Sequence, residues 1–216
     1  YLLHMCEKSC TFAVANNYII LLTMRKILFA LFVAAMTMVG CKKADTNNEL
    51  KHFDVQKEFT DNAFTFFTGA KVIMSGDQTN ANAMTIGWGA LGNYTGYDCP
   101  IVTVFVAPAR YTHQFLDQYP RFTLMELDDP EIARYLGTHS GRDGDKTEAL
   151  GLHVAYTENG TPYYEEAKTV IECEIMTAFH QTADDFRSQH MHEFYGNFGA
   201  GIHTAYFGKV IGAWKR

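Results

Sequence analysis

Ser140, Gly141, Arg142 and Lys146 place a hydroxyl, a glycine and two cations inside the stretch THSGRDGDK (138–146). Gly141 and Gly144 let a backbone fold closely around a ligand, and a helix start directly after the loop offers unpaired N–H groups and partial positive charge. That chemistry suits an anion. The same composition also suits a solvated turn, and the stretch alone leaves both readings open. Asp145, three residues ahead of Glu148, reads as the cap of the following helix rather than as a ligand contact.

Two further stretches carry comparable chemistry. In PARYT (108–112) an apolar run turns into a helix, so Arg110, Tyr111 and Thr112 stand at a second helix N-terminus and form a second candidate phosphate contact. An arginine at such a turn can equally serve a surface ion pair. In NAMTIGW (82–88), Asn82, Ala83, Met84, Thr85 and Ile86 read as a strand broken by Gly87 and Trp88. Glycine there marks either close approach by a ligand or a bulged core strand.

The elements that must position these residues are short. Runs at 72–74, 83–88, 101–106, 122–127, 154–156, 169–176 and 204–211 are β-prone and bounded by turn residues, which predicts seven strands in a barrel or sandwich. Helices are expected over 109–119, where Tyr111, Phe115 and Tyr119 share a face before Pro120. Others are expected over 130–136, with Gly137 just past the end, and over 145–150, closed by Gly151.

Composition sets the wider limits. The 216 residues are 47% hydrophobic and 19% charged, which fits one domain with an ordinary core. A net charge of -6 and a pI near 5.8 leave no basic footprint for nucleic acid. Arg25-Lys26, the apolar run 27–39 and Gly40-Cys41 have the layout of a secretory signal ending in a lipobox, with Cys41 the lipidated first residue of the mature chain. That run spans roughly 20 Å of helix, short of the ~30 Å bilayer core, so it is not expected to stay as a membrane span. The expected organisation is an upstream extension over 1–23, a signal peptide over 24–40, a polar tether over 41–55 and the domain over 56–216. The expected location is the bacterial cell envelope, lipid-anchored. Of the five cysteines, Cys99 and Cys173 belong to the domain and read as strand residues, though an oxidising envelope would permit pairing. His190, His192 and Glu193 look metal-like but lack a third ligand at a defined spacing, and no metal site is assigned. No Ser/His/Asp or Cys/His arrangement is present.

NAMTIGWG (82–89), APARYTHQFL (107–116) and HSGRDGDK (139–146), followed by ALGL, IECEI and HTAYFGKVIG, resemble in that order the flavin reductase-like family of FMN-binding split barrels. The resemblance covers about residues 56–216. It implies a mainly β fold with short helices, a split barrel, and FMN as cofactor. Residues 82–88 would line the isoalloxazine ring through backbone N–H groups and the Thr85 hydroxyl. Arg110, Tyr111 and Thr112 would meet the ribityl-phosphate end. Ser140, Gly141, Arg142 and Lys146 would hold the phosphate. His203 would stand near the flavin face as a tentative catalytic residue. The implied function is a flavin reductase or oxidoreductase passing hydride or electrons through FMN. The alternatives are a non-catalytic flavin-binding electron carrier, or an envelope interaction protein whose site is lost. NAD(P)H or a membrane redox partner would be the donor, and a homodimer is expected. The stretch 177–201 is longer than the family's usual connection and reads as a lid or a dimer contact.

Overall fold

The computed structural model describes residues 49–216. The extension, the signal peptide and Cys41 lie outside the described residues. The chain joins the fold earlier than a tether ending at 55 implies. Lys51–His52 (β1) pairs with Lys215 and Trp214 near the C-terminus, and Phe53 is buried.

Strand formation follows the sequence pattern. Lys71–Gly76 (β2), Ala81–Ile86 (β3), Pro100–Val106 (β5) and Arg121–Glu126 (β6) are rich in β-branched, aromatic and methionine side chains and end at Gly, Pro or acidic turns. The expected strand 83–88 ends at Ile86, its last two positions Gly87-Trp88 form a corner, and Gly89–Asn93 (β4) follows as a separate strand. Thr169–His180 (β9) and Thr204–Lys215 (β10) are long and pair antiparallel along most of their length. Val154–Tyr156 (β7) and Pro162–Tyr164 (β8) form a separate hairpin.

The large sheet runs β3-β2-β6-β9-β10-β5-β4, with β1 added at the end of β10. Every pairing in it is antiparallel. Curling such a sheet buries one face, where Ile73, Val104, Phe122, Leu124, Ile171, Cys173 and Tyr206 form the main core cluster. A second cluster, around Val72, Met74, Met125, Tyr164 and Val170, lies against the helix Pro130–Thr138 through Ala133 and Leu136. Cys99 and Cys173 are both buried and free, so they are not paired.

Five short α-helices complete the described chain: Val55–Glu58 (α1), Tyr111–Gln118 (α2), Pro130–Thr138 (α3), Lys146–Leu150 (α4) and Gln189–Gly196 (α5). Helix α3 continues through Gly137 instead of stopping before it. A Cβ at Gly137 would come within 3.1 Å of Thr85 Cβ, so the glycine lets α3 pack closely on β3. Helix α5 was not expected. It falls in the long stretch 177–201, whose polar sequence carries little helical periodicity.

Gly208 in β10 shows how tightly the barrel closes. A Cβ there would lie 2.7 Å from Cys173 Cβ and 2.7 Å from the Phe122 ring. Both neighbours are fully buried and have no room to retreat. Gly208→Ala is therefore expected to destabilise the fold by about 1–3 kcal/mol, seen as a lower urea midpoint with an unchanged slope.

Candidate functional site

The three stretches singled out in sequence converge on one cavity of about 110 Å³, lined by Asn82 and Met84 of β3, Arg110, Tyr111 and Thr112 at the start of α2, and Ser140, Gly141 and Lys146. The pleat explains the contribution of β3. Alternate residues face opposite sides, so Asn82 and Met84 turn to the cavity while Ala83 and Thr85 turn to α3. Ala83 packs with Ala133 and Leu136, and the Thr85 hydroxyl donates to the Ala133 carbonyl. Thr85 thus differs from the expectation, because its hydroxyl proton is committed to the helix.

The start of α2 is electrostatically open. Arg110 occupies its N-cap in extended conformation, and no side chain caps the helix. Each of the other described α-helices begins on a capping side chain: Asp54, Asp129, Asp145 or Ser188. The first N–H groups of α2 therefore keep their partial positive charge for whatever enters the cavity. Asp145 accepts from the N–H groups of Thr147 and Glu148 and closes the start of α4. The helix end that is open to an anion is α2, not α4.

Lys146 reaches the cavity from the first position of α4. It is buried, and its ammonium donates to the carbonyls of Ala83 at 2.5 Å and Leu136 at 3.4 Å. Burial pulls the group down to about 8. Ser140 is half-buried, and its hydroxyl accepts from the Arg142 N–H at 3.2 Å. Gly141 is needed for protein packing, since a Cβ there would meet Asn82 Oδ1 at 2.1 Å and the Tyr111 ring at 2.7 Å. Asn82 in turn donates to the Thr112 hydroxyl at 2.7 Å. Arg142 does not line the cavity. It is exposed, donates to the Ala109 carbonyl at 3.2 Å and lies over the Tyr111 ring at 4.9 Å. That clamps the loop onto the base of α2.

Ile86 points into the main core. Gly87 and Trp88 border a wider hollow of about 480 Å³, shared with Phe67, Phe105, Phe194 and Tyr195. Gly89 beside it is small because of the protein, not a ligand: a Cβ there would lie 2.3 Å from the Phe67 ring. His203, immediately before β10, packs against Trp88 with ring centres 4.5 Å apart and the ring planes tilted by 36°, and its Nδ1 is 3.0 Å from the Tyr195 hydroxyl. Burial, reinforced by the nearby Arg110 charge, holds His203 down to about 4. At neutral pH it is an uncharged ring. Phe194 and Phe198 complete this aromatic cluster, which ties the 177–201 stretch to Trp88. Sequence reasoning missed the contribution of α5, because nothing in its composition pairs it with Trp88, a hundred residues away.

His190, His192 and Glu193 do not gather around one point. His190 lies against Phe194, His192 against Phe186, and Glu193 accepts from Gln189.

Comparison with known proteins agrees with the geometry. Residues 64–216 match the model of the flavin reductase like domain. No curated protein matches the sequence. Among solved structures, an FMN-binding protein from Thermus thermophilus is 23% identical with a TM-score of 0.52, over 68% of this chain and 69% of that one. Flavoredoxin of Desulfovibrio vulgaris is 20% identical with a TM-score of 0.53, over 68% and 69%. An NADH:FAD oxidoreductase of Streptomyces globisporus is 21% identical with a TM-score of 0.51, over 68% and 75%. At this level of identity the likeness establishes the fold, a mainly β split barrel with short helices. The match spans well over half of the sequence and contains every cavity residue, and the chain belongs to the flavin reductase-like family.

Proposed function

We propose that this protein binds FMN, with the flavin phosphate in the cavity at the start of α2, and acts as a flavin-dependent oxidoreductase. The observation that carries the reading is the one uncapped α-helix N-terminus among the described residues, opening into a cavity that also holds a buried lysine and the Ser140 hydroxyl. A cavity of about 110 Å³ suits a charged end group, since whole-ligand pockets run to roughly 300–1,000 Å³. The donor set suits a phosphate: backbone N–H groups, a hydroxyl, an ammonium and the exposed Arg110. The bound flavin would supply the hydride or electron chemistry.

The chain's own residues anchor and orient. The α2 N-terminus, Ser140, Lys146 and Arg110 hold the dianion, and Asn82 fixes Thr112 beside it. Trp88 and the uncharged His203 present two packed rings, so His203 serves as a neutral surface rather than as a proton-donating imidazolium. The NADH:FAD oxidoreductase of Streptomyces supports a nicotinamide donor for this fold. A lipid on Cys41 would instead put the domain in the envelope, where a membrane redox partner takes the donor's place. A homodimer completes the proposal, by the family resemblance stated above.

FMN titration of the purified chain, followed by flavin fluorescence, tests the reading. Lys146→Met is expected to weaken FMN by roughly 10- to 100-fold, the value of one charge-assisted contact. Arg110→Ala and Ser140→Ala should weaken it by less. Riboflavin, which lacks the phosphate, should be insensitive to all three changes. Absence of FMN binding, or equal losses for riboflavin, overturns the phosphate assignment.

A pH dependence follows from the buried ammonium. In the ligand-free protein Lys146 loses its proton near 8, so above that pH phosphate binding must take up a proton or forgo the ion pair. FMN affinity should therefore fall as pH rises above 8, by at most about tenfold per unit, and Lys146→Met should flatten that limb.

The donor is separable by assay. Reduction of bound FMN by a reduced quinone analogue, with none by NADH or NADPH, is expected for the envelope reading. Turnover with NADH alone refutes it and leaves FMN binding untouched.

A further inference from the structure

A second group of ligand-type side chains stands apart from the phosphate cavity. His113 and Asp117 lie one turn apart on α2, and His180 closes β9. One ligand atom from each lies within 4.8 Å of the other two. Ligands held at about 2.0–2.2 Å around a single tetrahedral ion stand roughly 3.3–3.6 Å apart, so side-chain rotation that closes the group by about 1 Å would bring them together. The elements carrying them are well fixed. His180 is paired with Thr204 in the β9–β10 ladder, and the buried face of α2 is packed through Phe115 and Leu116.

The hydrogen bonds around the group hold its side chains close together. His113 Nε2 and His180 Nδ1 both converge on the Thr204 hydroxyl, each at 3.0 Å. That hydroxyl has one proton to give, so it can satisfy only one imidazole lone pair and the other nitrogen must carry a hydrogen. On the far side, Asp117 Oδ2 is 3.1 Å from His113 Nδ1, and the Tyr206 hydroxyl donates to Asp117 Oδ1 at 2.6 Å. A carboxylate oriented by a buried tyrosine is the outer support that metal ligands commonly have.

We propose that His113, Asp117 and His180 form a binding site for a divalent first-row transition cation, with Zn²⁺ as the probe. Two imidazoles and one carboxylate suit such ions and suit Mg²⁺ or Ca²⁺ poorly, since those prefer oxygen ligands throughout. Three protein ligands leave at least one coordination position open. The site is independent of the FMN assignment and shares none of the cavity residues.

The test uses the full chain, freed of metal with a chelator, titrated with Zn²⁺ by calorimetry and with Co²⁺ by its visible ligand-field spectrum. One Zn²⁺ per chain is expected, with micromolar or tighter affinity. His180→Ala removes an exposed side chain and should weaken Zn²⁺ by about 100-fold or more, because a direct ligand is lost. Asp117→Asn should weaken it by roughly 10- to 100-fold. His192→Ala, on α5, should change nothing. Far-UV circular dichroism of each variant separates lost binding from lost folding. The proposal is overturned by substoichiometric Zn²⁺ uptake. Binding that survives both His180→Ala and Asp117→Asn in folded protein, or that disappears with His192→Ala, overturns it equally.

Discussion

The arrangement of the site depends on one buried ammonium. Lys146 donates to the carbonyl of Ala83 in β3 and to that of Leu136 in α3, so a single side chain joins a sheet edge, a packed helix and the start of α4. Burying a cation without a carboxylate partner is costly. The lowered titration of the group is the measure of that cost. Two carbonyls offset part of it, and an anion in the adjoining cavity would offset more. A dianion in the cavity would thus stabilise the arrangement in which the free protein is held.

Neighbouring choices follow from this constraint. With Lys146 drawn inward, the loop before it must lie flat on Asn82 and Tyr111, and only glycine at 141 leaves room. Arg142 then seals the loop from outside, stacking on Tyr111 and bonding the Ala109 carbonyl. Asp145 caps α4 and keeps that helix end from competing for the anion. Positive potential is left at the base of α2, where Arg110 provides no cap. The β3 pleat divides the labour, with one face for the cavity and the other for α3.

How legible this was in sequence varied with the range of the interaction. The Asp145 cap and the Gly151 stop of α4 are local signals and were readable, as was the Pro120 stop of α2. The strand order, by contrast, requires pairings such as β6 with β9 that no local pattern encodes. Glycines were the least readable residues. Gly89, Gly137 and Gly141 are small because of Phe67, Thr85 and Asn82 respectively, and each partner lies beyond its own element. Gly141 lines the cavity and also packs on Asn82 and Tyr111, and a backbone approaching a ligand leaves the same mark in sequence as one approaching a side chain. His113 and His180 stand 67 positions apart, and only the His-x-x-x-Asp spacing on α2 hinted at their cluster.

Helix α2 links the two polar regions of the molecule. Its first residues face the cavity proposed for the phosphate, with Thr112 held by Asn82. One position further, His113 turns the other way and meets Thr204 on β10, while Asp117, a turn below, meets Tyr206. Thr204 adjoins His203, whose ring rests on Trp88. A helix of eight residues has too few turns to bend between its ends, so its position relative to β3 and its position relative to β10 are set together. The hydrogen bonds at His113 and Asp117 therefore help fix where the uncapped N–H groups point, and the side of α2 remote from the cavity contributes to the geometry of the anion site through the helix backbone alone.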